Sequence, residues 1–571
     1  MSQKEWALAP RTRAEHLQRY QGFSPIFAQV LFNRGFEDPA AALEFVQRRD
    51  LNDDPFQLRD VETAVARIND AIERREPIAV YGDFDADGVC ATTLMVQVLS
   101  ALGADVIAYI PDRVAEGYGL NAPALQRLAQ LGIDLVVTVD CGIRSVAEVA
   151  DAAHEGFDII ITDHHSIGPD LPPALAVVNP RREDCAGEAG MAGVGVAFML
   201  AKALLLRRWE HDRDNYPRNL RLSDLLDLVA LGTVADVMPL NAGLNRRLVR
   251  HGLDTLNELR RPGLKALANI AALKPGGIRA SHIGFVLGPR INAAGRLDSA
   301  MTAVELLAAR SDEEAMKRAI ELQQLNVQRR TLTRDAQAAI SQQVLDAGDV
   351  PLIFAGDENM RPGIIGLVAG RLTEEFYRPA VILEIGEEQS RASCRSIPEF
   401  DITGALDECA DLLVRHGGHA MAAGFTVKNG NIDVLRHELQ SKARASFHGK
   451  ALKPRLTVDC EIDLPELSMD LLAELDQLEP TGQGNPPATF ITRNLSVAHC
   501  RRVGADGNHL KLRLAHDGGL MIDAIGFGLG KWSKTMPRRI DVAYHPEINE
   551  WKNKRNLQMR LLDIRPAENA S

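Results

Sequence analysis

Five short aliphatic runs between residues 77 and 178 constrain the fold most. They are Pro77-Ile-Ala-Val80, Asp105-Val-Ile-Ala-Tyr-Ile110, Asp134-Leu-Val-Val-Thr-Val139, Asp158-Ile-Ile-Ile-Thr162 and Ala174-Leu-Ala-Val-Val178. Helical patterns separate most of them, over Val89–Leu102, Ala122–Leu131 and Ser145–His154. A strand with water on one face alternates apolar and polar residues; these runs do not. Continuous runs joined by helices predict an α/β layer with a parallel, doubly wound sheet.

Polar residues gather where each run stops. Tyr81-Gly-Asp83-Phe-Asp85-Ala-Asp87-Gly88 follows the first and reads as a tight turn closed by Gly88. Asp112 and Arg113 follow the second, Asp140 the third, Asp163-His164-His165 the fourth and Asn179 the fifth. Parallel strands deliver these ends to one edge, where open α/β sheets bind ligands. A single Asp after a strand is most simply a helix N-cap. Capping does not explain three aspartates at alternate positions together with Asp140 and two histidines. Asp236 joins them from the largely apolar stretch Leu225–Pro239, where a carboxylate is costly unless paired or on a metal. As an alternative, it bonds a backbone turn before Pro239.

The candidate ligand set is therefore Asp83, Asp85, Asp87, Asp140, His164, His165 and Asp236. Carboxylates with one or two imidazoles and no thiolate favour Mg²⁺ or Mn²⁺. There are more carboxylates than one ion needs, which suits two ions and phosphoryl chemistry. Zinc also fits these ligand types.

Further along, Gly288-Pro-Arg290-Ile-Asn292-Ala-Ala-Gly295-Arg296-Leu-Asp298 reads as a phosphate-contacting loop. No Gly or Pro occurs from Arg296 to Ala347, which predicts one or two long helices. A second α/β unit starts at Pro351. It carries Ser393 and Arg395 near a strand end and closes with Gly417-Gly418-His419, glycines that would let backbone approach a ligand. After Pro454, short strand patterns at Leu456–Asp459, Ala488–Ile491, Leu495–Ala498, His509–Arg513, Met521–Ile525 and Ile540–Tyr544 predict a small all-β, OB-like barrel. Its basic residues, Lys511, Arg513, Arg539, Lys552 and Arg555 among them, with Phe527, Tyr544 and Trp551, are the mixture used on single strands. The expected division is residues 1–75 helical, 76–295 catalytic α/β, 296–350 connecting helices, 351–450 the smaller α/β domain and 452–566 the barrel.

The formal net charge of −12 argues against a polyanion partner only on average. Phe490–Arg565 carries 14 Lys and Arg against 7 Asp and Glu, a local excess that suits nucleic acid or simply a solvated basic face. The seven cysteines are scattered, with no Cys-x-x-Cys, so neither a disulfide framework nor a thiolate zinc site is expected. There is no signal peptide pattern and no apolar stretch long enough for a membrane span, which reads as a cytoplasmic chain.

Asp163-His164-His165, Asp83-x-Asp85-x-Asp87-Gly88, Asp140 and Gly417-Gly418-His419 together resemble the DHH phosphoesterase superfamily. With Leu231-Gly-Thr-Val-Ala-Asp236, the Gly288–Arg296 motif and the barrel, nearly the whole chain resembles its branch of bacterial single-strand-specific DNA exonucleases. The resemblance implies a DHH domain, a DHH-associated domain and an OB-fold. It implies 5′→3′ degradation of single-stranded DNA to mononucleotides with Mg²⁺ or Mn²⁺, in recombination and repair, beside single-strand binding protein and a helicase. It assigns the metal to Asp85, Asp87, Asp140, His164 and Asp236, makes Asp83 and His165 essential, and gives backbone phosphates or the 5′ end to Arg290, Ser393 and Arg395; Asn292, Arg296 and His419, in the glycine-rich segments, are further phosphate-binding candidates. Two rival readings remain at this level: a phosphodiesterase of short oligonucleotides or cyclic dinucleotides, and a non-catalytic scaffold at the replication fork.

Overall fold

A parallel sheet with the order β2-β1-β3-β4-β5 forms the first layer, from β1 (Ile78–Gly82), β2 (Val106–Tyr109), β3 (Leu135–Val139), β4 (Asp158–Thr162) and β5 (Ala176–Val178). The computed structural model describes residues 4–47, 50–112, 116, 119–551 and 554–567; Arg113 and Lys552 lie outside these. β1, β3 and β5 are buried at every residue, as expected of strands covered on both faces. On one side they pack on α1 (Ala86–Ala101), α2 (Gly193–His211) and α3 (Leu226–Ala235), whose Val, Leu and Met side chains share their core.

α1 begins earlier than the sequence suggests. Asp85 is its N-cap, so Asp87 and Gly88 lie in the first helical turn, not in a tight turn before it. Gly88 is required by crowding: a Cβ there would sit 2.5 Å from the Asp83 carbonyl oxygen. The expected loop at 288–298 is likewise α4 (Gly288–Leu297), entered through a π-helical turn at Ile283–Leu287. α5 (Asp312–Ala347) then runs for 36 residues without interruption.

The second sheet has the order β9-β10-β8-β7-β6, built from β6 (Ile353–Asp357), β7 (Ala380–Glu384), β8 (Gln389–Arg395), β9 (Leu413–His419) and β10 (Ala422–Lys428). β6 and β7 are parallel and the remaining pairs antiparallel. α6 (Pro362–Phe376) is the crossover between the parallel pair and packs on β7 and β8. These elements belong to one compact unit, Asp50–Leu452.

The other unit joins Met1–Arg49 to Lys453–Ser571. Its barrel is β11 (Phe490–Val503), β12 (His509–Ala515), β13 (Met521–Gly526), β14 (Arg539–Trp551) and β15 (Lys554–Pro566), in the order β11-β12-β13-β15-β14, closed by pairing of β14 with β11. The two strand patterns read at 488–498 are one strand, bulged at Asn494, whose φ is 56°. That bulge lets β11 pair with β14 along its first half and with β12 along its second.

The segment expected as a helical piece to residue 75 divides between the units. Strand Glu5–Leu8 pairs in parallel with Arg455–Val458, and Phe27 and Leu31 of helix Pro25–Asn33 share a core with Phe490, Leu510 and Tyr544 of the barrel. Helix Val61–Arg74 instead packs in the core of the parallel-sheet unit. No helix among the described residues is long and apolar enough to cross a membrane.

Candidate metal and nucleic-acid site

The ends of β1, β3 and β4 and the end of α3 converge. Asp85 caps α1, its carboxylate accepting from the N–H groups of Asp87 at 2.8 Å and Gly88 at 3.1 Å. Asp87 reaches across to the start of α2, accepting from Gly193 N–H at 2.7 Å and Val194 N–H at 2.9 Å. A helix N-terminus is where a buried carboxylate is best tolerated. Asp140 follows β3 with a φ of 62°, a left-handed conformation uncommon for Asp and costing of order 1–3 kcal/mol. His164 follows β4, and Asp236 is the C-cap of α3.

His164 Nε2 lies 3.1 Å from Asp140 Oδ1, 3.6 Å from Asp236 Oδ2 and 4.0 Å from Asp87 Oδ2. Although close, neither His164 Nε2 nor Asp140 Oδ1 makes a hydrogen bond, and both atoms are buried. Donor atoms of three overlapping groups lie within 4.8 Å of one another: Asp87, His164 and Asp236; Asp83, Asp85 and Asp140; and Asp140, His164 and His165. The structure thus brings all seven predicted ligands into one cluster, with Asp140 and His164 shared between groups.

Electrostatics agree with this geometry. Burial, reinforced by the neighbouring aspartates, raises Asp87 to about 7, Asp236 to about 8, and Asp140 well above the ordinary carboxylate range. Unit negative charges about 4 Å apart repel by roughly 4 kcal/mol at an effective dielectric of about 20. Burial also lowers His164 to about 4, which leaves its ring neutral and able to donate a lone pair. Buried donor atoms without hydrogen bonds, of oxygen and imidazole type only, fit two hard divalent cations.

Asp163, read only as part of a motif, has its own task. It accepts from the N–H groups of His164, His165 and Ile143 and from His165 Nδ1 at 2.8 Å, so it fixes the His165 ring. Gly193 and Gly232 also shape the site. A Cβ on Gly193 would lie 2.4 Å from Asp140 Oδ1, and one on Gly232 would lie 2.6 Å from Asp87 Oδ1. No motif marks such positions; only the folded contacts do.

Above the cluster opens a cavity of about 980 Å³. Asp83, Asp85, His164, His165 and Asp236 form its acidic and imidazole side, while Asn292, Arg296, Arg395 and His419 line it elsewhere. Arg144 and Arg181, not predicted, line it too. Asp87 and Asp140 are buried, 1% and 2% exposed, and are not part of the wall. Ser393 and Arg290 are not on it either. Ser393 Oγ accepts from Arg395 at 3.4 Å, and Arg290 donates to Gln323 and to the Val286 carbonyl. Asn292 uses its side-chain oxygen to accept Ala86 N–H at 2.7 Å, tying α4 to the first turn of α1. Gly418, with φ 151°, is explained by its hairpin, since a Cβ would meet the Ala422 carbonyl at 2.4 Å.

On the barrel, Phe527 is 60% exposed and stands edge-on to His509. Tyr544, expected beside it on the surface, is fully buried, with its hydroxyl on Thr492. Lys511, Arg539 and Arg555 are paired with Asp523, Asp517 and Glu550.

Comparison with known proteins agrees with this arrangement. The chain matches the DHH family, N-terminal domain over residues 77–233, the DHHA1 domain over 349–445 and the RecJ OB domain over 458–563. It is 37% identical to the single-stranded-DNA-specific exonuclease RecJ of Bacillus subtilis, over 95% of this chain and 68% of that one. It is also 37% identical to the RecJ of Salmonella typhimurium, over 89% and 91% of the two chains. The crystal structure of Thermus thermophilus RecJ in complex with Mn²⁺ superposes with a TM-score of 0.82 at 30% identity, covering 99% of this chain and 80% of that one. The same protein in complex with Mg²⁺ gives 0.77 at 28% identity, covering 99% and 79%.

Proposed function

The chain belongs to the RecJ family of single-stranded-DNA-specific exonucleases, and from that premise we propose that the cluster around Asp140 and His164 hydrolyses the phosphodiester bonds of single-stranded DNA with two Mn²⁺ or Mg²⁺ ions. The observation that carries this reading is the pair of buried atoms without hydrogen bonds, Asp140 Oδ1 and His164 Nε2, set among Asp87 and Asp236. Asp87, His164 and Asp236 would hold one ion and Asp83, Asp85 and Asp140 the other, with Asp140 near both. Bound there, the ions would supply a hydroxide nucleophile near neutral pH and charge neutralisation for a displacement at phosphorus.

The chain's own residues do the positioning. Asp163 orients His165 at the cavity edge, and the N–H groups at the start of α2 hold the Asp87 carboxylate in place. Arg296 and Arg395 line the same cavity as the acidic cluster, where guanidinium groups can clamp a substrate phosphate. Burial lowers the Arg395 pKa, and among the described residues this guanidinium bonds only to Ser393 Oγ and the Cys394 carbonyl, so an incoming phosphate would compensate it. The 5′→3′ polarity, the setting in recombination and repair, and cooperation with single-strand binding protein and a helicase rest on the family resemblance.

The test is a product ladder from a long strand labelled at either end, beside its duplex and a dinucleotide, with Mn²⁺ and with chelator. We expect mononucleotides from the 5′ end of the single strand, Mn²⁺ dependence, and loss of hydrolysis in Asp140→Ala. Faster cleavage of the dinucleotide than of the strand, or full turnover in Asp140→Ala, would overturn the proposal.

A further inference from the structure

Helix α5 carries polar side chains where a packed helix ordinarily carries aliphatic ones. Gln323, Asn326, Arg330, Thr333, Gln337 and Ser341 recur at three- and four-residue steps and so share one face. Asn326, Thr333 and Ser341 are buried. This row meets α4 and α6, and cations collect where the three helices join. Arg290 of α4 donates to Gln323 at 2.9 Å and to the Val286 carbonyl at 2.6 Å. Arg329 donates to Asn326 at 2.9 Å, and Arg371 of α6 donates to Gln337 at 3.4 Å.

Arg290, Arg329, Arg330 and Arg371 bond, where they bond at all, to neutral oxygens, and among the described residues none forms an ion pair with a carboxylate. Arg329 also has a buried Nε with no partner. Burial, and after it the mutual repulsion of these groups, lowers the pKa of Arg290 and of Arg329. Like charges held together without a counter-charge are unfavourable unless an anion arrives.

The junction adjoins the cavity along two helices. On α4, Arg290 precedes the cavity-lining Arg296 by six residues, about 9 Å of helix or roughly one to two nucleotides of extended strand. On α6, Arg371 follows Gly370, where an added Cβ would come within 3.9 Å of Arg395 Cγ, and Arg395 also lines the cavity. Beside Val286, Phe285 is 85% exposed in the π-helical turn. An aromatic face next to guanidinium groups is the combination that grips unpaired nucleotides.

We propose that Arg329, Arg330 and Arg371 extend the phosphate contact that the family resemblance gives Arg290 and clamp the backbone phosphates of the nucleotides next to the one being cleaved, with the Phe285 ring stacking on a base of that stretch. This rests on the strand-degrading reading above and names the part of the strand that the α4–α5–α6 junction holds.

The test uses the full chain with Mn²⁺ and compares a long 5′-phosphorylated strand with a dinucleotide. Arg330 is exposed, so Arg330→Glu should fold; circular dichroism checks this. We expect its KM for the long strand to rise about tenfold with kcat nearly unchanged, and the salt dependence of strand binding to flatten by about 0.7 in log–log slope per lost phosphate contact. Phe285→Ala should weaken long-strand binding at least about fivefold without changing that slope. For both variants kcat/KM on the dinucleotide should fall far less. Equal losses on both substrates, or no loss on the long strand, would overturn the clamp. Failure of the unaltered protein to degrade the long strand would overturn the underlying exonuclease reading instead.

Discussion

Asp163 commits its carboxylate to three backbone N–H groups and to His165 Nδ1. Burial alone would raise its pKa, yet these bonds hold it below the ordinary carboxylate range. Asp163→Asn removes the charge and turns an amide toward N–H donors. We expect a loss of about 1–3 kcal/mol in stability by urea unfolding. A fall of about 10–100-fold in Mn²⁺ affinity should accompany it, because His165 loses its orientation. Wild-type values for both would show that Asp163 does not position the site. Residue type and strand-end position make the seven clustered residues legible in the sequence as candidates. What each neighbouring side chain bonds is not legible: Asn292 lines the cavity but also secures Ala86 through its side-chain oxygen, and Tyr544, suited by type to stacking, fills the barrel core.

At the scale of elements, glycines serve helix packing as well as turns. Gly288 and Gly295 suggested a loop, but both lie in α4, where they permit close packing. A Cβ on Gly295 would stand 2.2 Å from the Phe84 carbonyl oxygen, which is backbone and cannot rotate away. Replacing Gly by Ala inside a helix ordinarily gains up to about 1 kcal/mol. Forcing a methyl group into a filled contact costs about 1–3 kcal/mol, so the clash should win. We therefore expect Gly295→Ala to lower the unfolding free energy and to reduce nuclease activity, since Phe84 lies between Asp83 and Asp85. A variant more stable than wild type would show that α4 can shift away from the Asp83–Asp85 turn at no cost. The strands of the parallel sheet were easier to read, because burial on both faces writes an uninterrupted aliphatic run. β15 escapes a sequence reading: its burial is irregular, with exposed residues at its start and adjacent buried pairs in its middle, so Lys554–Pro566 shows no clean two-residue period.

For the whole molecule, sequence order concealed the division into units. Side chains between Tyr20 and Val46 share a core with the barrel, although more than 400 residues separate them along the chain. Nothing local in Pro25–Asn33 announces that partner, because an amphipathic helix specifies an apolar face and not what covers it. The succession of a parallel sheet, long helices, a mixed sheet and a closed barrel was legible, since each layer has its own hydrophobic period. The parallel sheet and the helices packed on it bring four chain segments together, those of Asp83–Asp87, Asp140, His164–His165 and Asp236, and the proposed chemistry requires that they hold divalent ions jointly. The most direct measurement is an anomalous difference map from crystals of this protein grown with Mn²⁺. We expect two peaks, one bounded by Asp87, His164 and Asp236 and the other by Asp83, Asp85 and Asp140. Peaks elsewhere, or no Mn²⁺ between these side chains, would contradict it.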